Sequence, residues 1–208
     1  IINGFAAGNE PDVFYFPVND AQTMIDNNQV VSVQEICQEY PQYASNIQSS
    51  IMDHLSDENG NNWCVPVIGR YQALYCNVSL FETYGAPLPN TWGDLQKAIE
   101  IFQRNDVIPI AAGLKDQSSL WVDQLILSYG VNEHEVSPMD AADVPTTWNQ
   151  ALAQLVNMEG SGVFPNNALT SNRSTALTLF NTQKAAMYLD SSDSVSLISN
   201  PNAVVACA

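Results

Sequence analysis

The chain has 208 residues, enough for one large domain or two small ones. Its 22 acidic residues against 6 basic ones give a formal net charge of −16, which excludes the basic face that nucleic acid or anionic lipid would require. Charged residues make up only 13% of the chain, about half the usual ~25%, so Asn, Gln, Ser and Thr supply most of the polar surface of a folded, acidic protein.

No run approaches the ~18 apolar residues of a membrane-spanning helix, and no charged-then-apolar leader opens the chain. The start, Ile1-Ile2-Asn3-Gly4, reads as the middle of something, and the apolar run Ala203–Ala208 reads as a strand cut short. The chain is therefore expected to be a segment of a longer protein. Its 4 cysteines, Cys37, Cys64, Cys76 and Cys207, form no Cys-x-x-Cys pair and lie apart from His54 and His134. Buried free thiols and no metal site are the expectation, with a single disulfide left open.

In chain order, Asp12–Phe16 is an aromatic run between Pro11 and Pro17, expected as a buried strand. Asp20 can cap a helix carrying Met24 and Ile25, and two more helices are expected between Val33 and Leu55. Asn59–Asn62 is a turn, Trp63–Val67 a strand, and Tyr71–Asn77 an extended segment. Thr91 with Asp94 three residues on makes a capping-box variant, and Leu95, Ala98, Ile99 and Phe102 form the apolar face of the helix it opens. Val107–Ala111 is a strand closed by Gly113, and a helix from Leu120 to Tyr129 ends at Gly130. Thr147 and Gln150 repeat the capping pattern, and Ser171 or Asn172 opens a helix through Leu177 and Phe180. Ala185–Leu189 is a strand and 191–199 is helical. Helices alternating with short buried strands predict an α/β domain with a largely parallel sheet.

No motif specifies a reaction. Asp190 and Asp193 could be assembled into a hydrolase pair, but among 22 acids a solvated acidic face is the plainer reading. Gly160-Ser161-Gly162 lacks the nucleophile-elbow pattern, and there is no Gly-x-Gly-x-x-Gly or phosphate loop. Trp92 and Trp148, next to helix starts, are expected to pack on their own first turns. Tyr15, Phe16, Tyr71 and Trp121 sit instead at strand ends or near helix starts, where α/β folds bind ligands, and aromatic faces there can stack on sugar rings. Arg70, one of few cations, stands beside a glycine and an aromatic as a ligand-clamp candidate.

Taken in order, several motifs resemble the family 1 extracellular solute-binding proteins, the sugar-capturing subunits of bacterial ABC importers. Gly8-Asn9-Glu10-Pro11-Asp12-Val13 is similar to the family's Gly-x-x-Pro-Asp-Val lead into a strand. Asn62–Pro66 followed by Ala73–Asn77 resembles its crossing segment, and Phe81–Gly85 with Pro89 and Thr91-Trp92 its next stretch. Val107–Ala111 and Leu179–Met187 look like its following strand and its late helix-to-strand signature. Each motif is weak alone; the ordered set with matching gaps is specific and runs almost the whole length.

The resemblance implies a two-lobe periplasmic-binding-protein-like (type II) α/β architecture with an incomplete first lobe: 1–69 as that partial lobe, 70–77 as a hinge crossing, and 78–208 as a second lobe truncated at its C-terminal end. It implies a non-catalytic monomer outside the cytoplasm, lipid-anchored in its full length, binding a sugar or oligosaccharide and handing it to a membrane permease, with no cofactor. Carried over residue by residue, it makes Phe16 and Asn19 first-lobe ligand contacts, Arg70 and Tyr71 hinge contacts, and Trp121 a second-lobe aromatic platform. One departure stands out: where the family commonly has Gly-x-Trp, this chain has Asp190-Ser191-Ser192-Asp193. That makes Asp193 a ligand-binding candidate and admits a polyamine or peptide as the alternative cargo. A carbohydrate-active hydrolase is the alternative from another class.

Overall fold

A computed structural model describes residues 4–5, 8, 11–17, 20–129 and 144–206, which fall into two units, Ile1–Gly69 and Arg70–Ala208.

In the first unit the described elements are three short helices, α1 (Ala21–Asp26), α2 (Val33–Glu39) and α3 (Ser49–His54). Asp20 stands at the cap position of α1 but its carboxylate makes no capping bond, whereas Ser32 caps α2 by accepting from the Glu35 amide at 3.1 Å. Buried Asn62 ties these pieces together: its side-chain amide donates to the Met52 carbonyl at 2.6 Å, and its backbone amide donates to Gln34 Oε1 at 2.9 Å. The turn before it is organised by Asp57, whose carboxylate accepts from the backbone amides of Asn59 and Asn61 at 2.9 and 2.8 Å and from Trp63 Nε1 at 2.9 Å. Those donors hold the Asp57 pKa below the usual carboxylate value, the Trp63 indole contributing most.

Two expected strands of this unit are absent. Asp12–Phe16 is irregular, with Val13 89% and Tyr15 76% exposed, and Trp63–Val67 is irregular as well. A strand needs a neighbour for its amides and carbonyls, and the first unit has no strand among the described residues. The apolar run is used instead in ring contacts, Phe14 lying 5.2 Å from Phe5 and 5.6 Å from Phe16.

The second unit is a four-stranded sheet with helices on both faces. Its elements are β1 (Gln72–Asn77), α4 (Val78–Tyr84), α5 (Trp92–Arg104), β2 (Ile108–Ala111), α6 (Leu114–Tyr129), α7 (Thr146–Gly160), α8 (Arg173–Asn181), β3 (Ala185–Ser191), a 3-10 turn (Ser192–Leu197) and β4 (Ala203–Ala206). The strand order is β2-β3-β1-β4. β2 and β3 are parallel, as the long helical crossover between them requires. β1 runs antiparallel to both β3 and β4, so the sheet is mixed and not largely parallel. The alternation of helix and strand in the sequence sets the layers; it does not set the direction of each strand.

Strand periodicity then distributes the core. On one face Leu74, Cys76, Met187 and Leu189 pack with Phe81, Phe102 and Trp121. On the other, Tyr75 and Tyr188 meet Ala176 and Phe180 of α8, with Tyr188 stacked 6.4 Å from Tyr75 and 5.9 Å from Phe180. Thr91 caps α5 by accepting from the Asp94 amide at 3.1 Å while donating its hydroxyl proton to the Asp94 carboxylate at 2.8 Å. Asn172 caps α8 in the same way through the Thr175 amide at 2.9 Å. α7 differs from expectation: it starts at Thr146, with Pro145 in the cap position and no side-chain capping bond, so Thr147 lies inside the helix. α6 begins at Leu114, ahead of the expected Leu120, and its proposed cap, Gly130, lies outside the described residues. Among the described residues Cys37, Cys64 and Cys76 are free thiols, and burial pushes Cys76 up to about 12; Cys207 lies outside them.

Candidate functional site

Register builds an edge at one end of the second unit's sheet. β2 and β3 are parallel, so their carboxyl ends point the same way, with Ala111 opposite Tyr188 and β3 running on to Ser191. Gln72 pairs with Ser191 across the antiparallel β1–β3 ladder, which brings the residues just before β1 to the same end. In open α/β sheets this end is where ligands are held. The ladder continues past the strands: Ser192 donates its amide to the Tyr71 carbonyl at 2.8 Å, and the Tyr71 amide donates to Ser192 Oγ at 3.3 Å. Arg70 then reaches Asp193, with Nη1 3.3 Å from Oδ2 and the two side chains 65% and 45% exposed. The Ser191 hydroxyl, followed by the positive charges of Arg70 and Arg173, holds Asp193 below the usual carboxylate pKa. Tyr71 is 66% exposed beside this pair.

A buried polar network stands behind the edge. Asp190, its side chain 5% exposed, accepts from Arg173 Nε at 2.8 Å, from the Ser191 amide at 2.8 Å and from the Tyr188 hydroxyl through a short hydrogen bond. Arg173 Nη2 also donates to Ser194 Oγ at 2.6 Å, and the Arg173 amide donates to Asp116 of α6 at 2.7 Å. Gln117 extends the chain by donating to the Tyr188 hydroxyl at 3.3 Å. Burial, then the bond to Asp190, raises the Tyr188 pKa, so this phenol stays protonated. The Tyr75 hydroxyl donates to the Ser191 carbonyl at 3.1 Å. Every oxygen of Asp190 is engaged, so its carboxylate anchors the turn into Ser191–Asp193 and is not poised as a free acid or base.

Of the residues singled out in the sequence, Arg70, Tyr71 and Asp193 are brought together. Phe16 is half-buried in the first unit against Phe14. Asn19 lies outside the described residues. Trp121 is 4% exposed, its ring 5.0 Å edge-on from Phe164, so it packs in the core of the second unit and presents no ring face for stacking. Sequence reasoning missed Arg173, Tyr188 and Gln117. Arg173 carried a usable signal: a scarce cation directly after a helix-capping Asn, in the first turn of a helix, where a positive charge is otherwise disfavoured. Among the described residues no cluster of His, Cys, Asp or Glu could hold a metal ion.

The model of the bacterial extracellular solute-binding proteins matches residues 1–206, and the chain belongs to that family. Comparison with curated protein sequences gives no match. Among solved structures, one from a study of xylan utilisation by the thermophilic bacterium Caldanaerobius polysaccharolyticus is 23% identical, with a TM-score of 0.70, covering 99% of this chain and 53% of that one. RafE from Streptococcus pneumoniae, in its apo form, is 15% identical with a TM-score of 0.77, covering 98% and 55%. Maltose-bound MalE3 from T. maritima is 21% identical with a TM-score of 0.68, covering 99% and 54%. The chain spans about half the length of these structures. The fold is the α/β fold of periplasmic-binding-protein-like solute receptors.

Proposed function

We propose that the protein is the extracytoplasmic solute-binding subunit of an ABC importer and that its cargo is a neutral sugar or oligosaccharide, delivered to a membrane permease by a lipid-anchored parent protein. The observation that carries the cargo reading is the Arg70–Asp193 pair beside exposed Tyr71 at the sheet's carboxyl edge. A fixed carboxylate accepts from sugar hydroxyls, a guanidinium donates to them, and a phenol ring covers a C–H face. Arg70 already neutralises Asp193, which weighs against a polyamine. The engagement of Asp190 by three donors weighs against a two-carboxylate hydrolase. The family and the xylan- and maltose-related structures support the same cargo class. No helix among the described residues is long and apolar enough to cross a membrane.

The test is a thermal melt of the chain against neutral mono- and oligosaccharides, amino acids, peptides and polyamines. Ligand at a hundred times its dissociation constant adds about 2.7 kcal/mol. A melting shift confined to saccharides is expected; a shift confined to polyamines or peptides would replace the cargo, and turnover of a glycoside would replace the class.

A further inference from the structure

The second unit has a concavity that shares no residue with the Arg70–Tyr71–Asp193 edge. It is a groove of about 700 Å³ between α5 and the C-terminal half of α7, within the usual range for a small-ligand site. At one end it is tied shut where Gln103 Nε2 donates to the Ser161 carbonyl at 2.7 Å. Ile99, Met158 and Val163 give it an apolar floor. On its walls stand Trp92, 42% exposed, and the carboxamides of Gln96, Gln154 and Asn157. Trp92, which the sequence reading packs on its own helix turn, is also one of the groove's lining residues.

The polar groups around this groove divide in two. Some are engaged: Glu100, in the lining, by Arg104 at 3.2 Å, and, beside the groove, Asp94 by Thr91 and Lys97 and Asn105 by the Ile101 carbonyl at 2.8 Å. Gln96, Gln154 and Asn157 make no side-chain hydrogen bond to the described residues. Three free carboxamides, each both donor and acceptor, next to an exposed indole are the complement of a ring with hydroxyls on its edges and C–H bonds on its faces. Among the described residues no Lys, Arg or His lines the groove, so they offer an anion no partner, and the one carboxylate they place there, Glu100, is already paired, so a cation has little to gain.

We infer that this groove is a second saccharide-binding site, for a neutral oligosaccharide, with Trp92 as the stacking platform and Gln96, Gln154 and Asn157 as the hydroxyl partners. It holds glycan at the protein surface independently of the cargo edge. The inference does not depend on the cargo reading, since its residues and its free groups are separate.

Nuclear magnetic resonance titration of the chain with xylo-, malto- and chito-oligosaccharides tests it, following the Trp92 indole N–H and the Gln154 and Asn157 side-chain amides. Saturable shifts of these signals are expected in the wild type and equally in the Arg70→Ala/Asp193→Ala variant. Trp92→Ala, a change at an exposed position, weakens groove binding by about tenfold or more and leaves edge binding unchanged; Gln154→Ala weakens it by a smaller factor. The inference is overturned if no saccharide at millimolar concentration moves these signals, if Arg70→Ala/Asp193→Ala abolishes the movement, if Trp92→Ala and Gln154→Ala both leave it intact, or if only a protein or peptide moves them.

Discussion

Gly113 shows how closely two segments of the second unit approach. A Cβ at this position would lie 2.2 Å from the Asn172 carbonyl oxygen and 2.8 Å from the Arg173 amide nitrogen, both backbone atoms. The contact seats the start of α6 against the start of α8, where Leu114 and Lys115 donate their amides to the Ala168 and Ser171 carbonyls at 2.9 and 3.1 Å. Gly113→Ala is expected to cost about 3 kcal/mol or more in chemical denaturation, because backbone and not a side-chain tip must give way. Gly93 is the control. Its nearest atom is 3.8 Å from a built Cβ and it sits in the first turn of α5, so Gly93→Ala should be neutral or gain up to about 1 kcal/mol. Asp57 carries the corresponding prediction for pH. Its folded pKa is depressed, so its contribution to the first unit is complete above the unfolded value of about 3.9 and is lost as pH falls through that value toward the folded one. Trp63 fluorescence followed from pH 6 to pH 2 should report the turn loosening in that window, and Asp57→Asn should flatten the profile.

At the scale of elements, what was legible in the sequence was local. The caps at Thr91 and Asn172 need only residues within one turn, and both form as read. So do the apolar face of α5 and the strands at Ile108 and Ala185, whose short apolar runs have no other use than burial. Illegible were features decided by distant partners. Asp12–Phe16 has strand composition without a strand beside it, and Trp121 sits in a helix so broadly apolar that its sequence does not say which side faces the core. The Arg173–Asp190 pair was invisible for the same reason, since it exists only once α8 packs across β3. That pair makes α6, α8, β3 and the 3-10 turn one unit through Asp116, Tyr188 and Ser194. Arg173→Ala leaves the buried Asp190 carboxylate without its cationic partner. A loss of about 2–4 kcal/mol is expected in denaturant titrations, reduced from the fully buried case because the guanidinium is partly solvated. Arg173→Lys should recover only part of it, since an ammonium cannot reach Asp190 and Ser194 in the arginine's fork geometry.

For the whole molecule, the sparse charge and the large surplus of acids argue against nucleic acid and anionic surfaces as partners, and the ordered motifs resembled the family that the chain belongs to. Of the proposed edge site, Arg70, Tyr71 and Asp193 were candidates in the sequence; their meeting depends on the Gln72–Ser191 register, which no local pattern encodes. The most direct measurement is calorimetric titration of the wild type, Arg70→Ala and Asp193→Ala with the saccharide that gives the largest melting shift. Both side chains are exposed, so neither change should lower stability by more than about 1 kcal/mol. The expected result is saccharide binding in the wild type that each substitution weakens by about tenfold or more, at unchanged melting temperature in the absence of ligand. Wild-type affinity retained in both variants would contradict the assignment of the cargo site to this edge.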